Sequence, residues 1–131
     1  GISTLEKETE ILQKISVETQ ADYLIQAIND YQTGASEIQK SKIIKAYKRG
    51  KIEEIDQIVK DDLQETQEIY KYMFVERNKA WVSAMIELMD KGSCFFSVGT
   101  GHLAGENGLI MRLRAEGYKV KPVKFDFWFH D

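Results

Sequence analysis

The chain has 131 residues, 43% hydrophobic and 30% charged, with 18 basic against 21 acidic side chains and a formal net charge of -3. That balance describes one ordinary soluble globular domain with a modest core, not a disordered segment. It excludes general nucleic-acid affinity, which rests on neutralising phosphates with Lys and Arg, and no apolar run nears the ~18–20 residues that span a bilayer.

Taken in chain order, Gly1-Ile2-Ser3-Thr4-Leu5 reads as the tail of a strand. The opening GISTLEKETE has neither the basic nor the apolar region of a signal peptide. Ser16 is a good helix N-cap, with Glu18 in the first turn where the helix dipole favours an acid. Ala21, Leu24, Ile25 and Ile28 follow at helical spacing, and Gly34 is placed to end that helix. Ser36 can cap the next one, whose face includes Ile43, Ile44 and Tyr47 and which Gly50 can stop. Ile52, Ile55 and Val59 mark a short third segment. From Leu63 to about Asp90 the periodicity runs on through Ile69, Met73, Trp81, Met85 and Leu88, as one long helix or two with a kink, closed by Gly92.

The period then changes. Cys94-Phe-Phe-Ser-Val98 is a short apolar run that reads as a buried strand, with the single cysteine as a packing residue. Leu109, Ile110 and Leu113 open a helix that Gly117 ends. Tyr118–Pro122 and Lys124–Phe129 alternate and read as strands, with Pro122 marking an edge or a bend. The expected fold class is therefore α/β. A helix-rich amino-terminal two-thirds is followed by a strand-loop-helix-strand-strand unit, part of a larger split sheet.

Between strand and helix lies Ser97-Val-Gly-Thr-Gly-His-Leu-Ala-Gly-Glu-Asn-Gly108. Unpaired N–H groups at a helix start after a glycine loop are suited to bind an anion. Gly99-x-Gly101-x-x-Ala104 matches the short dinucleotide fingerprint in its Ala form, but the acid expected ~20 residues later has no candidate among Tyr118–Lys121. A P-loop is absent. A tight strand-to-helix turn explains Gly99, Gly101 and Gly105 without any ligand. It leaves His102 unexplained: a histidine just past a strand is placed to be a metal ligand or a proton carrier. A zinc-type site needs three or four ligands, and the only other histidine, His130, sits beside the terminus.

The loop and its surroundings resemble the TraB/GumN family, which includes the Tiki-type metalloproteases. The likeness rests on Arg77-Asn78 within VERNKAWVSAMIELMDKG, on Val98-Gly-Thr-Gly-His-Leu-Ala-Gly-Glu-Asn-Gly108 as the second G-x-x-H signature, on Leu113 with Gly117-Tyr118-Lys-Val120, and on Leu5-Glu6 at the start. The carboxy-terminal part carries the specific motifs; the helical middle matches in pattern only. The family's first G-x-x-H motif, on an earlier strand, has no counterpart here. The resemblance therefore implies a single domain over residues 1–131 that lacks its amino-terminal strand and first motif.

What the resemblance implies for chemistry is divalent-metal-dependent peptide hydrolysis, with manganese, cobalt or zinc as the metal. His102 would be the second-motif histidine and a metal ligand. Glu6 would be the acid, as a second ligand or as general base towards metal-bound water. Arg77 would balance Glu6 or steady an oxyanion, and Asn78 would fix its helix against the binding loop of Gly99, Gly101, Gly105 and Gly108. The bland readings are that Arg77 pairs with an exposed acid such as Glu76 or Glu87, that Glu6 only serves the helix dipole, and that Glu106 is solvated. The implied partner is a peptide or small-molecule substrate, the implied setting exported and bacterial, and this chain alone an inactive fragment. The alternative on the same fold is a non-catalytic module binding haem or a peptide, with Tyr31, Tyr47 or Tyr70 as a second axial ligand. An incomplete sheet predicts a homodimer or strand exchange.

Overall fold

The computed structural model describes residues 2–64 and 66–123. Seven α-helices run in chain order: α1 (Leu5–Gln13), α2 (Val17–Thr33), α3 (Ala35–Lys48), α4 (Ile52–Asp62), α5 (Gln67–Tyr70), α6 (Arg77–Met89) and α7 (Leu109–Ala115). A π-helical segment, Lys71–Glu76, joins α5 to α6 without a break in the helical path, and a single 3-10 turn, Thr100–His102, lies in the glycine loop.

The helix boundaries follow local chemistry. The Ser16 hydroxyl accepts the Thr19 N–H at 3.1 Å, capping α2 as its sequence indicates. Gly34 adopts φ 76°, the left-handed conformation that ends a helix. The same residue is the N-cap of α3, which starts at Ala35 before Ser36 can serve as the cap. The expected long helix is present from Gln67 to Met89, and its irregularity is the π-segment rather than a kink at proline or glycine.

Two apolar clusters form the core. Trp81, Val82, Met85 and Leu109 make one, with Phe96, Val98, Leu103 and Leu113 packed on it. Ile15, Leu63 and Ile69 make the other, joined by Val59, Met73 and Phe74. The α5–α6 rod contributes to both, so α1, α4, the loop and α7 are all organised around it.

The expected α/β fold is not what forms: among the described residues there is no strand and the architecture is all-helical. Cys94–Val98 does have the period of a strand, with Phe96 and Val98 turned towards the Trp81 cluster while Phe95 is 93% exposed. A strand, however, is defined by ladder hydrogen bonds to a neighbour, and among the described residues this segment has no neighbour to pair with. Cys94 is exposed rather than buried, its thiol 3.4 Å from the Gly92 carbonyl. Tyr118–Pro122 likewise pairs with no strand among the described residues. The Val120 carbonyl accepts from the Arg114 guanidinium at 2.9 Å, and the Tyr118 N–H donates to the Leu113 carbonyl at 3.0 Å. The third expected strand, Lys124–Phe129, lies outside the described residues. No helix among the described residues is long and apolar enough to cross a membrane.

This core assignment has a direct check in chemical denaturation. Met85 is 2% exposed and Leu5 80% exposed. Met85→Ala is expected to cost about 2–5 kcal/mol, and Leu5→Ala to stay within about 0.5 kcal/mol.

Candidate functional site

The site is assembled from one helical stripe and one loop. Phe74, Arg77, Asn78 and Trp81 stand at i, i+3, i+4 and i+7, so they share a face of the rod as it leaves the π-segment. The 3-10 turn of the glycine loop lays His102 onto that face. The imidazole stacks on Phe74 with ring centroids 4.9 Å apart and meets Trp81 at 4.7 Å with the planes tilted by 50°. Tyr70 also stacks on Phe74, at 5.5 Å.

Asn78, only 2% exposed, is the polar centre. Its amide nitrogen donates to the Asn107 carbonyl at 2.8 Å and to the His102 carbonyl at 3.4 Å. Both partners can only accept, so the NH₂ end must face them. The Asn78 carbonyl oxygen therefore faces His102 Nδ1, 2.8 Å away. A carbonyl oxygen is an acceptor, so Nδ1 must carry the hydrogen. The neutral tautomer is thereby fixed, with the lone pair left on Nε2.

The charge state follows from the surroundings. Burial among the aromatic rings, and then the nearby Arg77 cation, pull His102 down to about 4, against a smaller opposing effect of Glu8. The ring is neutral near pH 7. Arg77 itself is held on two sides: its guanidinium lies 4.8 Å over the Trp81 ring and pairs with Glu8 at 2.7 Å. Its Nε–H is buried with no hydrogen-bond partner among the described residues.

The loop is shaped to deliver this histidine. Gly101 packs against Phe74 and Val59, which leave ordinary contact space. Gly108 is buried, and a Cβ there would collide with the Leu103 and Ala104 carbonyls. Gly105 has φ 78°, and a Cβ would collide with the Asp56 carboxylate. Asp56 is itself paired with Lys60 at 2.8 Å, so α4 forms the outer wall of the loop. Arg112 of α7 closes the other side, donating to the Asn107 carbonyl and side-chain oxygen, both at 3.0 Å.

The structure thus brings His102, Asn78 and Arg77 together with all four loop glycines. It does not bring Glu6 to them. Glu6 is fully exposed in the first turn of α1, its carboxyl held below the usual range by its own backbone N–H and by Thr4. The acid that reaches Arg77, and whose charge reaches His102, is Glu8. Glu8, Phe74 and Trp81 are the site residues that reading by motif passed over. The stripe spacing of Phe74 and Trp81 with Arg77-Asn78 was the available signal; for Glu8, two residues along an exposed helix, there was none. Glu106 is exposed, as its solvated reading has it.

The donor set does not complete a metal centre: among the described residues no three His, Cys, Asp or Glu side chains are placed to hold a metal ion. His102 Nε2 is a single available ligand. Nor does the arrangement suit haem, since Tyr31 and Tyr47 are 79% and 64% exposed and Tyr70 is committed to Phe74.

Two stability measurements follow. Asn78→Ala leaves two carbonyls and His102 Nδ1 without their partner, and is expected to cost about 2–4 kcal/mol in urea denaturation. The acid limb is the second. His102 binds its proton less readily when folded, so the unfolded chain takes up more protons between about 6.5 and about 4, and stability falls as pH drops through that window. Glu68, held low by Thr19 and Ser16, acts only below its ordinary 4.5. Thermal melts from pH 7 to pH 4.5 should therefore show a loss that His102→Gln largely removes.

Comparison with curated proteins and with solved structures gives no match. The family model described as TraB/PrgY/gumN family matches residues 1–122, so the chain belongs to the TraB/PrgY/gumN family.

Proposed function

We propose that this chain carries the histidine half of a hydrolytic site, with a peptide as the substrate class that the Tiki-type resemblance implies. The observation that supports the reading is the Asn78–His102 pair. An imidazole whose Nδ1–H is held by a carbonyl presents a bare Nε2 lone pair, the arrangement of a general base or a metal ligand. Asn78 holds the ring's orientation and stabilises the imidazolium that forms when Nε2 takes a proton. Arg77 contributes a positive charge near the ring, which would favour negative charge developing on a substrate. The low basicity of His102 keeps Nε2 unprotonated across the neutral range.

A divalent metal would supply a polarised water and a Lewis acid when bound. With one imidazole available, the described residues do not hold it alone, and no step here is assigned to it.

The reading is tested by calorimetric titration of manganese, cobalt and zinc into the chain and into its His102→Ala variant. A half-site with one imidazole is expected to bind metal weakly, and His102→Ala to abolish that binding, while a mixed peptide digest added to the chain alone stays uncleaved. Peptide binding with no metal binding that depends on His102 would instead make the chain a binding module.

A further inference from the structure

The second helix is built inside out. In α2 (Val17–Thr33), the residues facing the rest of the molecule are polar. Thr19 donates to Glu68 at 2.7 Å, Gln26 donates to the Asp62 carbonyl at 3.2 Å, and Tyr23, 38% exposed, has its phenol pushed up by partial burial and by nearby Asp62. These three stand at i, i+4 and i+7. The apolar stripe is Val17, Ala21, Leu24, Ile28 and Tyr31, alternating steps of four and three. It lies two residues, about 200°, around the helix from the polar one, on the opposite side. It is exposed: Val17 by 82%, Leu24 by 61%, Ile28 by 47% and Tyr31 by 79%, with Ile25 at 58% beside it. No residue of α2 is buried.

Steps of four and three are the seam of a two-helix coiled coil. We propose that this seam is the interface with a second copy of the chain, the two α2 helices packing antiparallel about Leu24.

Three features select that occupant. The first is area. Val17, Leu24, Ile28 and Tyr31, 47–82% exposed, with Ile25 at 58% beside them, present on the order of 500 Å² per copy, so a pair comes to about 1,000 Å², the lower end for a specific interface. The second is self-complementarity. With Leu24 on the two-fold axis and packed on its counterpart in the other copy, Val17 of one copy meets Tyr31 of the other and Ala21 falls between Ala27 and Ile28, so the smaller residues of one copy face the larger ones of the other in the outer layers. The flanking positions are Glu18, Gln20, Ile25, Ala27 and Gln32, so Glu18 faces Gln32 and no like charges oppose. Antiparallel packing also opposes the two helix dipoles favourably. The third is what the helix lacks. A helix that lies on a membrane surface is rich in Lys and Arg on its polar face, whereas VETQADYLIQAINDYQT has neither.

Sedimentation equilibrium on the whole chain tests this. The wild type is expected at twice its 15.1 kDa, with dissociation to monomer on dilution through the micromolar range. Leu24→Glu should weaken association at least tenfold while circular dichroism and thermal melting show the fold retained. Leu5→Glu, at an exposed position on α1 away from the stripe, should leave it unchanged. A Leu24→Cys variant, made with the exposed Cys94 changed to Ser, should form a disulfide-linked dimer on mild oxidation. A wild type still monomeric at about 100 µM, where a micromolar dimer would be nearly full, overturns the proposal. So does a Leu24→Glu variant that associates as before, or a Leu24→Cys dimer that fails to crosslink.

Discussion

One buried amide holds the site together. Asn78 has two donors and one accepting oxygen, and all three are used to bind the glycine loop to the central rod. Among the described residues the loop has no strand partner; Val98 and Leu103 pack it on the Trp81 cluster, and this clamp, with Arg112 on the far side, fixes where His102 lies. Because both donors are spent on carbonyls, the amide cannot turn over. The tautomer of His102 is therefore a consequence of hydrogen-bond counting rather than of the histidine's own preference.

The rest of the site follows from the same rod. The stripe Phe74–Arg77–Asn78–Trp81 supplies an aromatic bed, a cation and the clamp from one helical face. The bed dehydrates the imidazole and the cation repels its proton, so the two effects act in the same direction. Arg77 is kept from overwhelming the site by Glu8, which draws its charge aside at 2.7 Å. The π-segment, which carries Phe74 and leads into the rest of this stripe, is the kind of local irregularity that often accompanies functional positions in helices.

Much of this was legible in the sequence, and the exceptions have distinct physical causes. Ser16, Gly34 and Gly50 punctuate the helices where their chemistry says they should, because capping is local. His102 and Arg77-Asn78 were marked by the loop motif and the family resemblance, and they do meet. The strands failed for the opposite reason. Phe96 and Val98 alternate with Phe95 and Ser97 as in a strand, but pairing depends on a neighbour that period-2 patterning cannot supply. The apolar stripe of α2 was also visible, yet its direction was not: periodicity locates a face and says nothing about whether the core or solvent lies against it. Glu8 escaped because selecting it over Glu6 requires knowing how α1 is rotated against Arg77.

The most direct test of the account is a ¹⁵N-resolved NMR titration of His102 in the whole chain, with His102→Gln used to assign its signals. An Nδ1–H tautomer with an unprotonated Nε2 near pH 7 is expected, with protonation only near 4. Asn78→Asp should raise that midpoint, since a carboxylate at the same place favours the imidazolium. A histidine that titrates near its ordinary 6.5, or that carries its neutral hydrogen on Nε2, would contradict the clamp and the function built on it.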